Sequence, residues 1–240
     1  MTRRRWIADE VSLDRAALTG EHADHLIRVL RARVGQEFDI ATGSTVRRGR
    51  IVSIREQRVD FDLGEEISES SSSNVILLLA IFKFDRMEWA IEKSTELGVG
   101  KIFPLIAQRT DAHLAAASQK RVERWRKIAR QSAEQSRRAL APELSAPIKL
   151  QDAVRIPAAE RILLNELEQQ NMLPQVLTTH PIEKDIAIAV GPEGGWTEHE
   201  LEMFQSERWL SVSLGSTILR TETAAIASVA ITMALSRFHG

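Results

Sequence analysis

Residues 185–226 read DIAIAVGPEGGWTEHELEMFQSERWLSVSLGSTILRTETAAI, and this stretch decides the fold. Ile186–Val190 is an apolar run of strand length that stops at Gly191-Pro192-Glu193-Gly194-Gly195. Leu210–Leu214 is a second short strand, stopped by Gly215. Glycines placed directly after strands let the chain turn sharply and bring main-chain N–H groups close to a ligand. The run Ile218-Leu219-Arg220-Thr221-Glu222-Thr223 then enters an Ala-rich helix expected over Glu222–Ser236. Two such turns close together predict a pocket for a flat, polar cofactor rather than a metal cage or a nucleophile elbow. Taken alone, Gly191–Gly195 fits a tight turn without a ligand equally well. It is not a phosphate loop, because no Lys-Ser/Thr follows, and the G-x-G-x-x-G fingerprint is absent.

Outward from this stretch, strands and helices alternate. Asn74–Phe82 predicts a buried strand and Asp85–Leu97 a helix, with Asp85 and Glu88 spaced as a cap pair and Gly98 just past its end. Lys101–Ile106 is the strand that completes a βαβ unit. Gln119–Ala139 predicts a long basic helix burying Val122, Trp125 and Ala129. Arg161–Leu164 is a further strand, Leu173–Leu177 a helical turn, and Thr197–Glu207 a helix opened by a capping box of Thr197 and Glu200. Residues 1–67 keep a different rhythm: strands at Glu37–Ala41, Arg47–Ile54 and Arg58–Leu63, punctuated by glycines, with a helix at Glu21–Arg31. That is the pattern of a small, mostly antiparallel barrel. The expected organisation is α/β: a barrel over 1–67, a flexible Ser-rich linker over 68–74, and an α/β domain over 75–240.

With 240 residues, 43% of them hydrophobic and 27% charged, the chain has the composition of an ordinary soluble globular protein. No run approaches the roughly 18–20 apolar residues that span a bilayer. No export signal is evident at the first residues, and cysteine is absent, which excludes disulfides and thiolate chemistry. Cytoplasmic residence is the simplest expectation. The net charge of −1 hides an asymmetry: residues 119–138 carry eight basic side chains against two acidic, and residues 160–210 three against ten. Arginine outnumbers lysine 25 to 7, which suits bidentate phosphate and base contacts. The basic segment also fits a plain solvated helix face.

The paired motifs carry a resemblance. GPEGG followed by a short helix, then LG-x-x-ILR-x-ETA, resembles the knotted (SPOUT-type) S-adenosylmethionine methyltransferases, and within them the RsmE family, which methylates N3 of a uridine in bacterial 16S rRNA. His25-Leu26-Ile27-Arg28-Val29-Leu30-Arg31 with Gly35, the segment Lys83–Val99 with Pro104 and Arg109, and Glu134-Gln135-Ser136 with Arg138 and Pro142 match further blocks of that family in order. The resemblance implies a PUA-like RNA-binding barrel, a trefoil-knotted α/β domain, a homodimer whose sites are completed by the partner chain, and small-subunit rRNA or the assembled 30S subunit as partner. It implies cofactor contacts from Leu164, Gly191, Gly194, Ser213, Leu214, Gly215 and Leu219. RNA contacts are assigned to Arg5, Arg28, Arg31, Arg86, Arg109 and Arg138.

Catalysis is assigned to Arg220 and Glu222. Uracil N3 carries a proton at neutral pH, so its methylation needs that proton removed or the anion stabilised. A guanidinium near O2 or O4 favours the anion, and a carboxylate accepts the proton. Arg220 is read as stabiliser and Glu222 as organiser or base, with Glu193 as rival base. As alternatives, the two flank Thr221 as a surface salt bridge with a first-turn acid. His22, Asp24 and His25 lack further ligands and are read as capping or RNA contacts, and no metal or membrane partner is expected. Trp89 and Trp125 are read as core residues; Trp196 is either a lid over the cofactor or an apolar anchor. Competing readings are a methyltransferase acting on a ribose 2′-hydroxyl or on tRNA, and a non-catalytic RNA-binding factor with the same fold.

Overall fold

The computed structural model describes residues 5–43, 45–69, 74–179 and 185–236. Two compact units emerge, Met1–Ser72 with Ala133–Ala141, and Ser73–Ser132 with Pro142–Gly240.

The first unit contains β1 (Arg5–Ile7), β2 (Glu10–Ser12), β3 (Arg15–Thr19), α1 (Gly20–Asp24) continuing into a π-helical turn at His25–Val29, β4 (Glu37–Ala41), β5 (Thr45–Arg55) and β6 (Arg58–Glu69). They form a six-stranded sheet in the order β1-β4-β5-β6-β3-β2. Every neighbouring pair is antiparallel except β1 with β4. One face buries Trp6, Leu18, Leu26, Ile40, Ile51, Val59 and Phe61. Gly49 is what lets β5 lie this close to β4, since a Cβ there would stand 2.4 Å from Ile40 Cγ1. The strand register shifts on both sides of that contact. The expected linker begins inside a paired strand: Ser68 and Glu69 belong to β6 and pair with Val46 and Thr45. The long β5 supplies partners beyond Leu63, so the sheet extends past the point where hydrophobic alternation fades. Residues 70–73 of that linker lie outside the described residues.

The second unit runs β7 (Val75–Ala80), α2 (Phe84–Leu97), β8 (Lys101–Ile106), α3 (Ala112–Ser118), a 3₁₀ turn (Gln119–Arg121) and α4 (Val122–Gln135), whose residues from Ala133 group with the first unit. There follow β9 (Glu143–Leu144), β10 (Ile148–Lys149), α5 (Leu150–Ala153), β11 (Glu160–Leu164), α6 (Leu173–Thr179), β12 (Ile186–Val190), α7 (Glu198–Ser206), β13 (Leu210–Val212) and α8 (Thr221–Ser236). The sheet is parallel, in the order β10-β8-β7-β12-β11-β13, with β9 also paired to β8. Both faces are covered, which is why its strands read as unbroken apolar runs. Along β7, Val75, Leu77 and Leu79 face one cluster with α2, α4 and α8, while Ile76, Leu78 and Ala80 face another with Trp196, Phe204 and Trp209. Each fully buried leucine contributes about 1.5–3 kcal/mol to stability.

Several local expectations give way. The long helix Gln119–Ala139 is divided into the 3₁₀ turn and α4, which stops at Gln135 before the left-handed Arg137. It is preceded by α3, capped by Asp111 through the N–H groups of His113 and Leu114. Asp85 and Glu88 do not cap α2: Lys83 holds the N-cap position without a side-chain bond, and Glu88 instead receives Arg124 at 2.6 and 2.8 Å. Trp125 is fully buried as expected, whereas Trp89 is 47% exposed on the outer side of α2. Gly98 closes α2 at φ 108°, in the left-handed region expected of it.

Candidate active site

Strands β12, β11 and β13 are neighbours, and their last residues, Val190, Leu164 and Val212, end at one cleft. Ligands in parallel α/β sheets bind outside the carboxyl ends of the strands, and this is such a place. The cleft offers about 130 Å³ of space to the centre of a water-sized sphere and opens to solvent. Of the residues predicted to hold a cofactor, Leu164, Gly191, Ser213, Leu214, Gly215 and Leu219 line it. Gly194 does not: a Cβ there would meet the Arg109 stem at 3.2 Å. Gly195 lines the cleft in its stead, held at φ 68°.

The loops are fixed from behind. Ser213 N donates to Asn171 O at 2.8 Å and Leu173 N donates to Ser213 O at 3.0 Å, which ties the loop after β13 to the start of α6. Glu168 stiffens that approach by accepting from the N–H groups of Gln170 and Asn171, which hold its carboxyl below the usual range. Trp196 is anchored and also lines the cleft: it is buried, donates Nε1–H to Leu164 O at 3.0 Å and packs edge-on against Phe204 with centroids 5.0 Å apart. Gly191 makes room for it, since a Cβ would stand 3.0 Å from the indole. The capping box of Thr197 and Glu200 forms as expected, and Glu200 is buried while also accepting from Gln108 N at 2.7 Å.

The predicted catalytic pair straddles Thr221, which lines the cleft. Arg220 is exposed, and its guanidinium has no hydrogen bond or ion pair among the described residues. Glu222 is 2% exposed and pairs with Arg86 of α2, not with Arg220. Neither Arg220 nor Glu222 lines the cleft, and Glu193 is exposed outside it.

The arginines assigned to RNA divide by what they already touch. Arg86 is engaged with Glu222, and Arg109 Nη1 donates to Gly194 O and to Trp196 O, the latter at 3.3 Å. Arg5 donates to Arg137 O within the first unit. Arg138 is partly buried there, and burial pulls its guanidinium down to about 10. Arg28 is largely exposed with Asp24 at 3.5 Å, and Arg31 is exposed at φ 50°. Arg47 of β5 is a structural residue: it donates to the carbonyls of Gly64, Leu13 and Leu63 and reaches Asp14. His22 contacts Asp9 at 3.2 Å, and no group of three or more metal-ligating side chains occurs among the described residues. Among those residues no helix is long and apolar enough to cross a membrane.

Sheet, cleft and loops together define a methyltransferase-type domain, and a family model for the RNA methyltransferase domain matches residues 69–233. The ribosomal RNA small subunit methyltransferase E of Rickettsia conorii is 32% identical over 217 residues, covering 89% of this chain and 87% of its own length. A methyltransferase from Legionella pneumophila, solved in complex with S-adenosylmethionine, superposes with TM-score 0.85 at 27% identity over 98% of both chains. The ribosomal RNA small subunit methyltransferase E from Neisseria gonorrhoeae, solved bound to S-adenosylmethionine, superposes with TM-score 0.84 at 27% identity, again over 98% of both. The chain belongs to the ribosomal RNA small subunit methyltransferase E family.

Proposed function

We propose that the protein transfers a methyl group from S-adenosylmethionine to N3 of a specific uridine in bacterial 16S rRNA. The observation that carries this reading is the cleft at the ends of β11, β12 and β13, which lies inside the segment matched by the RNA methyltransferase model. Its residues fit the cofactor. Leu164, Leu214 and Leu219 offer apolar walls to an adenine, and the loops after the strands present main-chain polar groups to the ribose and the amino-acid portion. Gly215, at φ 138° with nothing within 4 Å of a Cβ position, leaves main chain bare to an occupant.

When bound, S-adenosylmethionine supplies an activated methyl on sulfur. The protein's part is to hold uracil edge-on to it and to manage the N3 proton. Arg220 stabilises the negative charge that spreads to O2 and O4, while Glu222, anchored by Arg86, organises the start of α8. The proton passes to Glu222, to Glu193 or to water. The first unit is read as a PUA-like domain that grips RNA through exposed arginines. The second threads a trefoil knot and pairs with a second copy, in the cytoplasm.

Gly215→Val is expected to abolish cofactor binding, because a β-branched residue at this φ is strained by about 1–3 kcal/mol and its side chain enters open space at the cleft. Calorimetry on the folded variant reads this, and wild-type affinity would remove Gly215 from the site. Gly194→Val acts differently, by pushing against Arg109 rather than by filling the cleft.

For RNA, Arg31→Glu combined with Arg33→Glu should weaken binding and lower the slope of log affinity against log salt by about 0.7–0.9 for each phosphate no longer neutralised. Arg47→Ala should lower the melting temperature instead. An unchanged slope in the double variant would show that this face does not meet phosphate.

The decisive test incubates the purified protein with methyl-labelled S-adenosylmethionine and bacterial small subunits or their rRNA, then identifies the labelled nucleoside by mass spectrometry. 3-Methyluridine is expected. A 2′-O-methyl nucleoside, label confined to tRNA, or no label at all overturns the reading.

A further inference from the structure

Two segments far apart in sequence clasp each other behind the glycine loop. From the turn after β8, Arg109 reaches across and its Nη1 donates to two carbonyls of the loop, Gly194 O and Trp196 O. In return, the buried Glu200 at the start of α7 accepts from Gln108 N at 2.7 Å and from Thr197 N at 2.8 Å. Thr197 Oγ1 also lies 2.9 Å from Gln108 Oε1. The reaching segment is itself a closed turn, with Thr110 N donating to Ala107 O and Ala107 N to Thr110 Oγ1, each at 3.1 Å. Gly194 admits the arginine: a Cβ would press on its Cδ at 3.2 Å.

The glycine loop between β12 and α7 contributes Gly191, Pro192, Gly195 and Trp196 to the cleft wall, and Arg109 contributes nothing to it. Arg109 therefore touches the back of the loop whose front faces the ligand. We infer that Arg109 is a positioning residue, which holds the glycine loop in its ligand-ready shape and so sets affinity for the cofactor. This rests on the cleft being the S-adenosylmethionine site. One guanidinium nitrogen gathers two carbonyls that would otherwise have to find water, and the loop would then have to be ordered again by the ligand. That ordering cost falls on binding and not on the chemical step.

The test is calorimetry and steady-state kinetics on the full-length protein with Arg109→Met and Arg109→Lys. The methionine variant should bind S-adenosylmethionine about tenfold or more weakly, as expected for loss of charge-assisted hydrogen bonds. Its KM for the cofactor should rise in parallel, with kcat at saturating cofactor within two- to threefold of wild type. The lysine variant keeps an ammonium donor and should recover part of the affinity. If Arg109→Met unfolds below the assay temperature, Arg109→Lys against wild type carries the same KM-against-kcat comparison. Unchanged cofactor affinity with weakened rRNA binding would overturn the inference and return Arg109 to RNA contact. A fall confined to kcat would overturn it as well. Failure of wild type itself to bind S-adenosylmethionine would instead refute the reading of the cleft, which separates the two failures.

Discussion

Arg220→Ala is expected to slow methyl transfer by roughly 10²-fold or more while cofactor affinity stays within a few-fold. The side chain is exposed and makes no hydrogen bond or ion pair among the described residues, so its removal takes nothing from the fold. Only the main chain of Arg220 is engaged, its carbonyl accepting from Ala224 N at 2.8 Å as α8 begins. Its neighbours Leu219 and Thr221 line the cleft, so the main chain of Arg220 lies beside the cleft although its side chain is not part of the wall. On the proposed mechanism a cation there acts on the anion that forms on uracil, as a transition-state group does. Single-turnover rates at saturating cofactor and RNA read the effect directly, and an unchanged rate makes Arg220 dispensable. In the same assay Glu222→Gln should flatten the pH–rate profile only if that carboxylate takes the N3 proton. A profile kept by Glu222→Gln and lost by Glu193→Gln would move the base to Glu193.

The fold was legible where a strand had to be buried on both faces. The runs Ile186–Val190 and Val75–Ala80 have no polar interruption because helices cover each side of the parallel sheet, and the glycines that follow Ile186–Val190 mark where the cleft opens. The Thr197–Glu200 capping box was legible for the same local reason, since donor and acceptor lie three residues apart. What stayed hidden was pairing across distance. Nothing in Gly194 or Arg109 announces that the two touch, 85 positions apart. A basic residue near a family motif looks like an RNA contact from sequence, while in the folded chain Arg86, Arg109 and Arg47 are each already engaged by protein oxygens. Counting arginines therefore overstates the exposed cationic surface; in the first unit Arg28, Arg31 and Arg33 are exposed. The division of Gln119–Ala139 leaves no mark in the pattern, because a basic face at helical spacing is the same whether the helix is continuous or has a 3₁₀ turn in its first residues. Part of its charge is answered within the protein, through Glu88 with Arg121 and Arg124 and through Glu123 with Arg126.

The Arg86–Glu222 pair supplies the second large effect, this time on stability. Glu222 is 2% exposed, so its charge depends on Arg86, whose side chain is 40% exposed. Removing one member of a fully buried pair costs about 3–5 kcal/mol because the other charge is left without compensation. Water can reach the Arg86 side, which reduces the expectation for Arg86→Met to about 2 kcal/mol, read by urea denaturation. Glu222→Gln should cost less, since the amide oxygen can still accept from Arg86 and water reaches the half-exposed guanidinium that loses its counter-charge, and the double variant should be less destabilised than the sum of the two singles by about 1 kcal/mol or more. Strict additivity would mean that the two side chains do not interact in solution. The cycle also separates structure from chemistry. If Glu222 serves only to organise the start of α8 through Arg86, methyl transfer should fall alike in Arg86→Met and Glu222→Gln. If Glu222 is the base, Glu222→Gln should lose activity well beyond the loss its stability predicts, while Arg86→Met keeps the carboxylate and a pH-dependent rate.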